Sequence, residues 1–188
     1  MADRIFIVRH GETEWSRSGQ HTSRTDLPLT EHGREQAAVV AEKLSGESFA
    51  LVLCSPLTRA RETCRLAGFG AVAEICDQLV EWQYGEYEGL TSSEIWESHD
   101  PDWLLWRDGC PGGESPAEVG ARVDGVLDRV AAVDGDCLAF AHGHVLRVLT
   151  ARWLEMEAAG GARFTLAAAA IGVLGHERDT AVVQRWSA

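Results

Sequence analysis

The chain has 188 residues, 45% of them hydrophobic and 24% charged, a length and balance that suit one globular domain with a substantial core. Its formal net charge of -12 makes nucleic acid and anionic membrane poor partners, since polyanions are repelled overall. A small anion remains compatible wherever a few arginines reverse the field locally. The five cysteines, Cys54, Cys64, Cys76, Cys110 and Cys137, show no CxxC spacing and read as small buried thiols of a reducing compartment. No apolar run is long enough to span a bilayer, and chemistry that starts at Arg9 leaves no room for a signal peptide. The expectation is a cytoplasmic protein.

In chain order, Ile5 to Val8 is a continuous apolar run, as expected of a central strand covered on both faces. Ser16 to Leu29 is polar and reads as a loop. A helix follows from about Thr30, with Ala37, Val40, Ala41 and Leu44 on one face. Leu51 to Cys54 predicts a second buried strand. Ser55 and Pro56 then suit the cap and first position of a helix that Gly68 would end. Val72 to Cys76 reads as a third strand. Thr91 with Glu94, and Ser115 with Glu118, have capping-box spacing and mark two helix starts. Cys137 to Ala141 is a further buried strand, leading into a helix through Val145, Leu146, Val148 and Leu149. Ala168 to Leu174 and Ala181 to Trp186 can pair as a hairpin across His176 to Thr180. Strands alternating with helices imply an α/β fold around a mainly parallel sheet. With no linker, repeat or low-complexity tract, residues 1–188 read as a single domain.

Two strand ends resemble each other: IFIV runs into Arg9-His10-Gly11, and CLAFA into His142-Gly143-His144. In open α/β sheets ligands bind beyond the carboxyl ends of the strands, so both histidines are expected at one crevice. Arg59 falls in the first turn of the helix after the second strand, and helix N-termini favour anions. Taken singly, each motif is as readily a turn or a solvated charge as a site. Their joint occurrence, each directly after an apolar strand, points to phosphate.

RHGETEW, SGQHTSRTDLPLT, SPLTRARET, EWQYGEYEG and AHGH, in that order, resemble the histidine phosphatase (phosphoglycerate mutase-like) superfamily. The likeness is greatest to its short bacterial acid phosphatases and extends to the fungal sedoheptulose-bisphosphatase branch. It implies a three-layer α/β/α sandwich and a phosphomonoesterase that works on small phosphorylated metabolites through a phosphohistidine, without metal or other cofactor. His10 matches the nucleophile. Arg9, Arg59 and His142 match the groups that hold the phosphoryl oxygens, and Glu81 matches the proton donor. Ser16, Thr22, Ser23 and Gly143 fall at substrate-binding positions. Neutral imidazole can attack phosphorus without a metal if the charge on the equatorial oxygens is stabilised. Glu81 would protonate the leaving alkoxide and then activate water, and the first role needs a neutral carboxyl.

Two positions depart from the family pattern. Ser16 stands where asparagine is common, and Ser23 stands where glycine is usual, which would strain serine if φ were positive. His21 and His144 read as loop and helix-start residues rather than catalytic ones. Trp82, Trp96, Trp103 and Trp106 read either as packing of two short helices or as a cap over the pocket. Three rivals follow. A phosphomutase needs positive charge for a second acidic group, and Trp82 follows Glu81 where mutases of the superfamily usually carry arginine. A non-catalytic phosphate-binding module would not need every matched catalytic residue. A metallohydrolase on His142 and His144 lacks a carboxylate partner pattern.

Overall fold

The computed structural model describes residues 3–187; residues 1, 2 and 188, the ends of the expected domain, lie outside the described residues. A six-stranded sheet in the order β3-β2-β4-β1-β5-β6 forms the middle layer. Its strands are β1 (Ile5–Arg9), β2 (Leu51–Cys54), β3 (Glu74–Ile75), β4 (Cys137–Ala141), β5 (Ile171–Glu177) and β6 (Thr180–Arg185). The pairs β1–β4, β2–β4 and β2–β3 are parallel, whereas β1–β5 and β5–β6 are antiparallel.

The side-chain period of two divides each central strand between two cores. Phe6, Val8, Leu138 and Phe140 pack with Val40 and Leu44 of α2 (Glu31–Lys43) and Ala60 and Cys64 of α3 (Thr58–Leu66). Ile5, Ile7, Ala139 and Ala141 pack on the opposite face with Val119, Val123 and Val126 of α6 (Pro116–Ala131) and with Val145, Leu146 and Leu149 of α7 (Gly143–Trp153). Helices on both faces make the expected α/β/α sandwich. The two capping boxes form as spaced, Thr91–Glu94 starting α4 (Ser92–Ser98) and Ser115–Glu118 starting α6, with Pro116 in its first turn.

Four boundaries differ from the sequence reading. The segment read as a loop from Ser16 opens inside a short helix, α1 (Glu14–Ser18), because Thr13 and Ser16 form a capping box that uses serine where glutamate or glutamine is usual. Helix α3 starts at Thr58, not after Ser55. Ser55 is drawn away to bond His142, and Asp26 caps the helix from a distant loop, accepting from Thr58 N at 2.8 Å and Thr58 Oγ1 at 2.6 Å. Only Glu74 and Ile75 of the expected third strand pair, at the exposed sheet edge. The hairpin turn is tighter than expected: Arg178 and Asp179 alone connect β5 to β6, with Arg178 at φ 57°.

The short segment between α4 and α6 also contains α5 (Leu105–Asp108). Of the tryptophans here, Trp103 is buried and donates from Nε1 to Gly109 O at 2.8 Å, whereas Trp96 of α4 is exposed, with its Nε1 donating to Trp103 O at 2.9 Å. Because Phe140 is fully buried in the α2–α3 core, Phe140→Ala is expected to cost about 3–5 kcal/mol, read as a lower denaturant midpoint with secondary structure retained below it.

Candidate active site

The parallel pairing of β1 with β4 aligns Arg9 with Ala141, so the residues just beyond, His10 and His142, emerge side by side with ring centroids 5.1 Å apart. The ladder continues one step past the strands, His10 N donating to Ala141 O at 3.0 Å and Ala169 N to His10 O at 3.0 Å. A cavity of about 230 Å³ opens there. Among its lining residues are Arg9, His10, Ser16, Thr22, Glu81 and Gly143. Six of the nine sequence-predicted site residues therefore meet at one surface.

His10 is buried, and its Nδ1 lies 2.7 Å from the Gly11 carbonyl, which can only accept. The ring proton therefore sits on Nδ1 and leaves the Nε2 lone pair free. Burial, with the nearby Arg59 and Arg9 charges, holds His10 well below the ordinary histidine range, so the ring is neutral at neutral pH. Gly11 must be glycine: a Cβ there would stand 2.3 Å from the Gly33 carbonyl oxygen. Arg9 donates from Nη1 to Leu166 O at 2.6 Å. Its Nε is buried with no partner, and no other buried side-chain nitrogen or oxygen among the described residues shares that condition.

Glu81 is the acceptor at the start of α7. Its Oε1 accepts from Trp82 N at 2.9 Å and Val145 N at 2.8 Å, and its Oε2 from His144 N at 3.0 Å. The carboxylate thus caps a helix whose own N-cap, His142, supplies no side-chain bond. Glu114, the other nearby acid, is paired with Arg122 at 2.8 Å and accepts from Gln83 N at 2.9 Å, away from the cavity lining.

Arg59, His142 and Ser23 stand behind this surface instead of lining it. The buried Arg59 guanidinium donates to His142 Nδ1 at 3.1 Å, Thr25 O at 3.2 Å, Thr22 O at 3.1 Å and Ser23 O at 3.2 Å. With Nδ1 accepting, the neutral His142 ring carries its proton on Nε2 and donates it to Ser55 Oγ, 2.7 Å away. Burial and the neighbouring cations hold His142 well below the ordinary range, so the ring is not a cationic donor. With both nitrogens engaged, it is not a metal ligand either. No group of three or more His, Cys, Asp or Glu among the described residues is arranged to hold a metal ion.

Ser23 has no positive φ, so serine is unstrained there; its N–H goes to Glu88 at 2.8 Å and its hydroxyl to Glu81 O at 3.2 Å. Ser16 lines the cavity, but its proton is given to Thr13 O at 3.0 Å. The Thr22 hydroxyl donates to Gln20 O at 3.0 Å.

Sequence reasoning gave His21 and His144 local roles and did not single out Arg147 or the Tyr84 hydroxyl, yet all four line the cavity. Tyr84, kept protonated by burial, donates to His144 Nδ1 at 2.6 Å. His21 donates from Nδ1 to Leu90 O at 2.7 Å, leaving Nε2 an acceptor. The signal for Arg147 was present: it lies three residues after His144 on one helix, and therefore on the same face.

The chain matches the histidine phosphatase superfamily (branch 1) over residues 5–188. It belongs to that family. An acid phosphatase of Mycobacterium tuberculosis is 44% identical over 181 residues, covering 93% of this chain and 87% of the relative. Sedoheptulose 1,7-bisphosphatase of Saccharomyces cerevisiae is 36% identical over 189 residues, covering 83% and 69%. A solved open reading frame product of M. tuberculosis superposes with a TM-score of 0.91 at 39% identity, covering 98% of this chain and 97% of that one. The histidine phosphatase is accordingly a hydrolase of phosphomonoesters, with the α/β/α architecture of the phosphoglycerate mutase-like fold.

Burial keeps His10, His142 and His144 neutral in the folded chain, while the unfolded chain takes up protons below about pH 6.5. Stability is therefore fully present above that pH and is lost as pH falls through it, at up to about 1.4 kcal/mol per pH unit per histidine. Denaturant midpoints measured from pH 8 to pH 5 should fall steeply below 6.5, and His142→Asn should flatten that slope.

Proposed function

We propose that the whole chain is one histidine phosphatase domain that transfers a phosphoryl group from a small phosphorylated metabolite to His10 Nε2 and then to water. The observation that carries this reading is the buried, unpartnered Arg9 Nε next to a neutral His10 whose Nε2 is free. An orphaned guanidinium donor at that spot fits a phosphoryl oxygen, and the charge-assisted bond stabilises the transition state.

His10 Nε2 attacks phosphorus while Nδ1–H remains on the Gly11 carbonyl, which stabilises the positive charge developing on the ring. Arg9 holds the phosphoryl group. Arg59 contributes its charge at short range; to place its Nη donors on phosphoryl oxygens it must release the Thr22 and Ser23 carbonyls. His142 positions Arg59 through Nδ1. Glu81 Oε2, with a single backbone donor against two on Oε1, is the oxygen free to carry the proton given to the leaving alkoxide. The same oxygen then takes a proton from the water that attacks phosphohistidine.

The acid phosphatase relative supports a hydrolase, as does a mycobacterial glucosyl-3-phosphoglycerate phosphatase solved with VO3, at 29% identity and a TM-score of 0.87. The position after Glu81, usually arginine in mutases of the superfamily, is Trp82 here, fully buried with its indole N–H on Glu114 O at 2.8 Å. The five cysteines, all buried and unpaired, support a cytoplasmic setting, and no helix among the described residues is long and apolar enough to cross a membrane.

His10→Ala should lower turnover by several orders of magnitude, and brief incubation of the unsubstituted enzyme with labelled phosphoester should leave acid-labile, alkali-stable label. Label on serine or cysteine would end this mechanism. Activity should survive exhaustive chelation; a loss restored by one divalent ion would contradict it.

Glu81→Gln should slow phosphoenzyme formation far more with a sugar phosphate than with an aryl phosphate, because only the poor alkoxide needs a proton. Rapid-quench measurement of that step separates the two. Equal slowing would mean that Glu81 is not the acid.

A further inference from the structure

A second cavity, of about 590 Å³, opens between α3 and the β3 edge of the sheet. Its lining brings together Cys54 of β2 and Cys64 of α3. Both side chains belong to the α2–α3 core, whereas Cys76, Cys110 and Cys137 pack in the core on the other side of the sheet. Cys54 is paired with Ile75, the last residue of the two-residue β3 and itself exposed, so the edge gives this pair little cover.

The two thiols lie within hydrogen-bonding reach of each other. The Cys54 S–H has two acceptors, the Ser55 carbonyl at 3.3 Å and the Cys64 sulfur. That bond lowers Cys64 below the ordinary thiol range, against the effect of burial, and raises Cys54. Cys64 is therefore the half that ionises first. Arg61 and Arg65 bring positive charge to the same cavity, while the acid on its lining, Glu62, is paired with Arg34 at 2.8 Å.

One residue from each thiol stands a bond on which the active site depends. Ser55, after Cys54, accepts from His142 Nε2 at 2.7 Å, and His142 Nδ1 accepts from Arg59 Nε at 3.1 Å. Thr63, before Cys64, accepts from Gly11 N at 3.0 Å and donates to Arg59 O at 2.8 Å. The Gly11 carbonyl in turn fixes the His10 ring. In a close-packed interior, a shift of α3 against β2 reaches Arg59 and His10 along both paths.

We propose that Cys54 and Cys64 are a peroxide-sensitive thiol pair, which closes to a disulfide and lowers phosphatase activity until a thiol reductant reopens it. The Cys64 thiolate attacks one oxygen of hydrogen peroxide, and the O–O bond breaks. Cys64 becomes a sulfenic acid, and the departing hydroxide takes up the proton that Cys64 had lost, giving water. The Cys54 sulfur then attacks the Cys64 sulfur, the S–O bond breaks, and the oxygen leaves with the Cys54 proton as a second water. Two thiols lose two electrons, and one peroxide becomes two waters. A disulfide in a reducing compartment is transient, as a sensor requires. Closure draws the sulfurs nearer than a hydrogen bond holds them, and the displacement falls on Ser55 and Thr63. The thiol chemistry goes beyond the reading of His10 as nucleophile; only its effect on turnover rests on that reading.

The test treats the native, fully reduced protein with hydrogen peroxide, alkylates it, and maps its peptides by mass spectrometry. A peptide linking Cys54 to Cys64 is expected, with two of the five thiols lost and both recovered after dithiothreitol. Aryl phosphate turnover should fall by about 10-fold or more and return with the reductant, since small misplacements of positioning groups cost rate on that scale. Turnover with peroxide divided by turnover without it, in one preparation, does not depend on the fraction folded. Cys64→Ala should hold that ratio near one, and Cys64→Ser likewise. Absence of the linked peptide, linkage to another cysteine, or linkage that forms only in denaturant overturns the pair. So does peroxide inactivation that survives Cys64→Ala, or a linked protein with undiminished turnover. Phosphoryl label on His10 of the reduced protein tests the mechanism separately. Its absence would remove the mechanism and leave the peptide map to decide the pair.

Discussion

The register of β1 against β4 is the constraint on which the site depends. Parallel pairing sends both strands out at the same edge, and alignment of Arg9 with Ala141 brings His10 beside His142. Burial on both faces locks this register, because a slip of one residue would move Phe6, Val8, Leu138 and Phe140 into the α6–α7 core. The position of His10 is thus set by hydrophobic packing, not by the polar groups around it. Those groups are left free to set its tautomer and charge.

The helices that leave this edge show what the register makes possible. Both α3 and α7 follow a central strand directly, and neither has a local side-chain cap. Their exposed N–H groups are met from elsewhere in the chain: Asp26 accepts from the start of α3, and Glu81 from the start of α7. Arg59 then ties the Thr22 to Thr25 loop to α3 and to His142. Folding therefore draws distant loops onto the strand ends by satisfying helix termini. The same contacts that complete the helices assemble the cavity wall.

This explains what could be read in the sequence and what could not. Continuous apolar runs marked β1, β2 and β4, because strands covered on both faces leave that pattern, and the Thr91 and Ser115 capping boxes marked α4 and α6 because both partners are local. The start of α3 was misread for the opposite reason: its cap is Asp26, 32 residues away, and Ser55 is engaged by His142. His10 and His142 stood out because each follows a strand. Arg147 did not, since an arginine within an amphipathic helix looks like a solvated charge until Trp106 and Gly161 fix its direction. The sheet edge was overextended at β3 because Val72 and Ile75, although apolar, are exposed.

Glu81 shows how closely stability and chemistry are joined here. As a carboxylate it is a good cap, accepting three backbone N–H groups where the α7 dipole favours negative charge. As a general acid it must carry a proton, and that proton can sit only on an oxygen with an uncommitted lone pair. Under the proposed mechanism the division of donors, two on Oε1 and one on Oε2, lets a single residue do both: the two oxygens together cap α7, and Oε2 keeps a lone pair for the proton. Arg9 and Arg147 keep this carboxyl within a cationic wall although the chain as a whole carries a net charge of -12. The acidic exterior repels polyanions, whereas a small phosphoester that reaches the cavity meets the opposite sign. Discrimination by charge thus operates at two scales in one molecule, with the boundary between them at the strand ends where His10 sits.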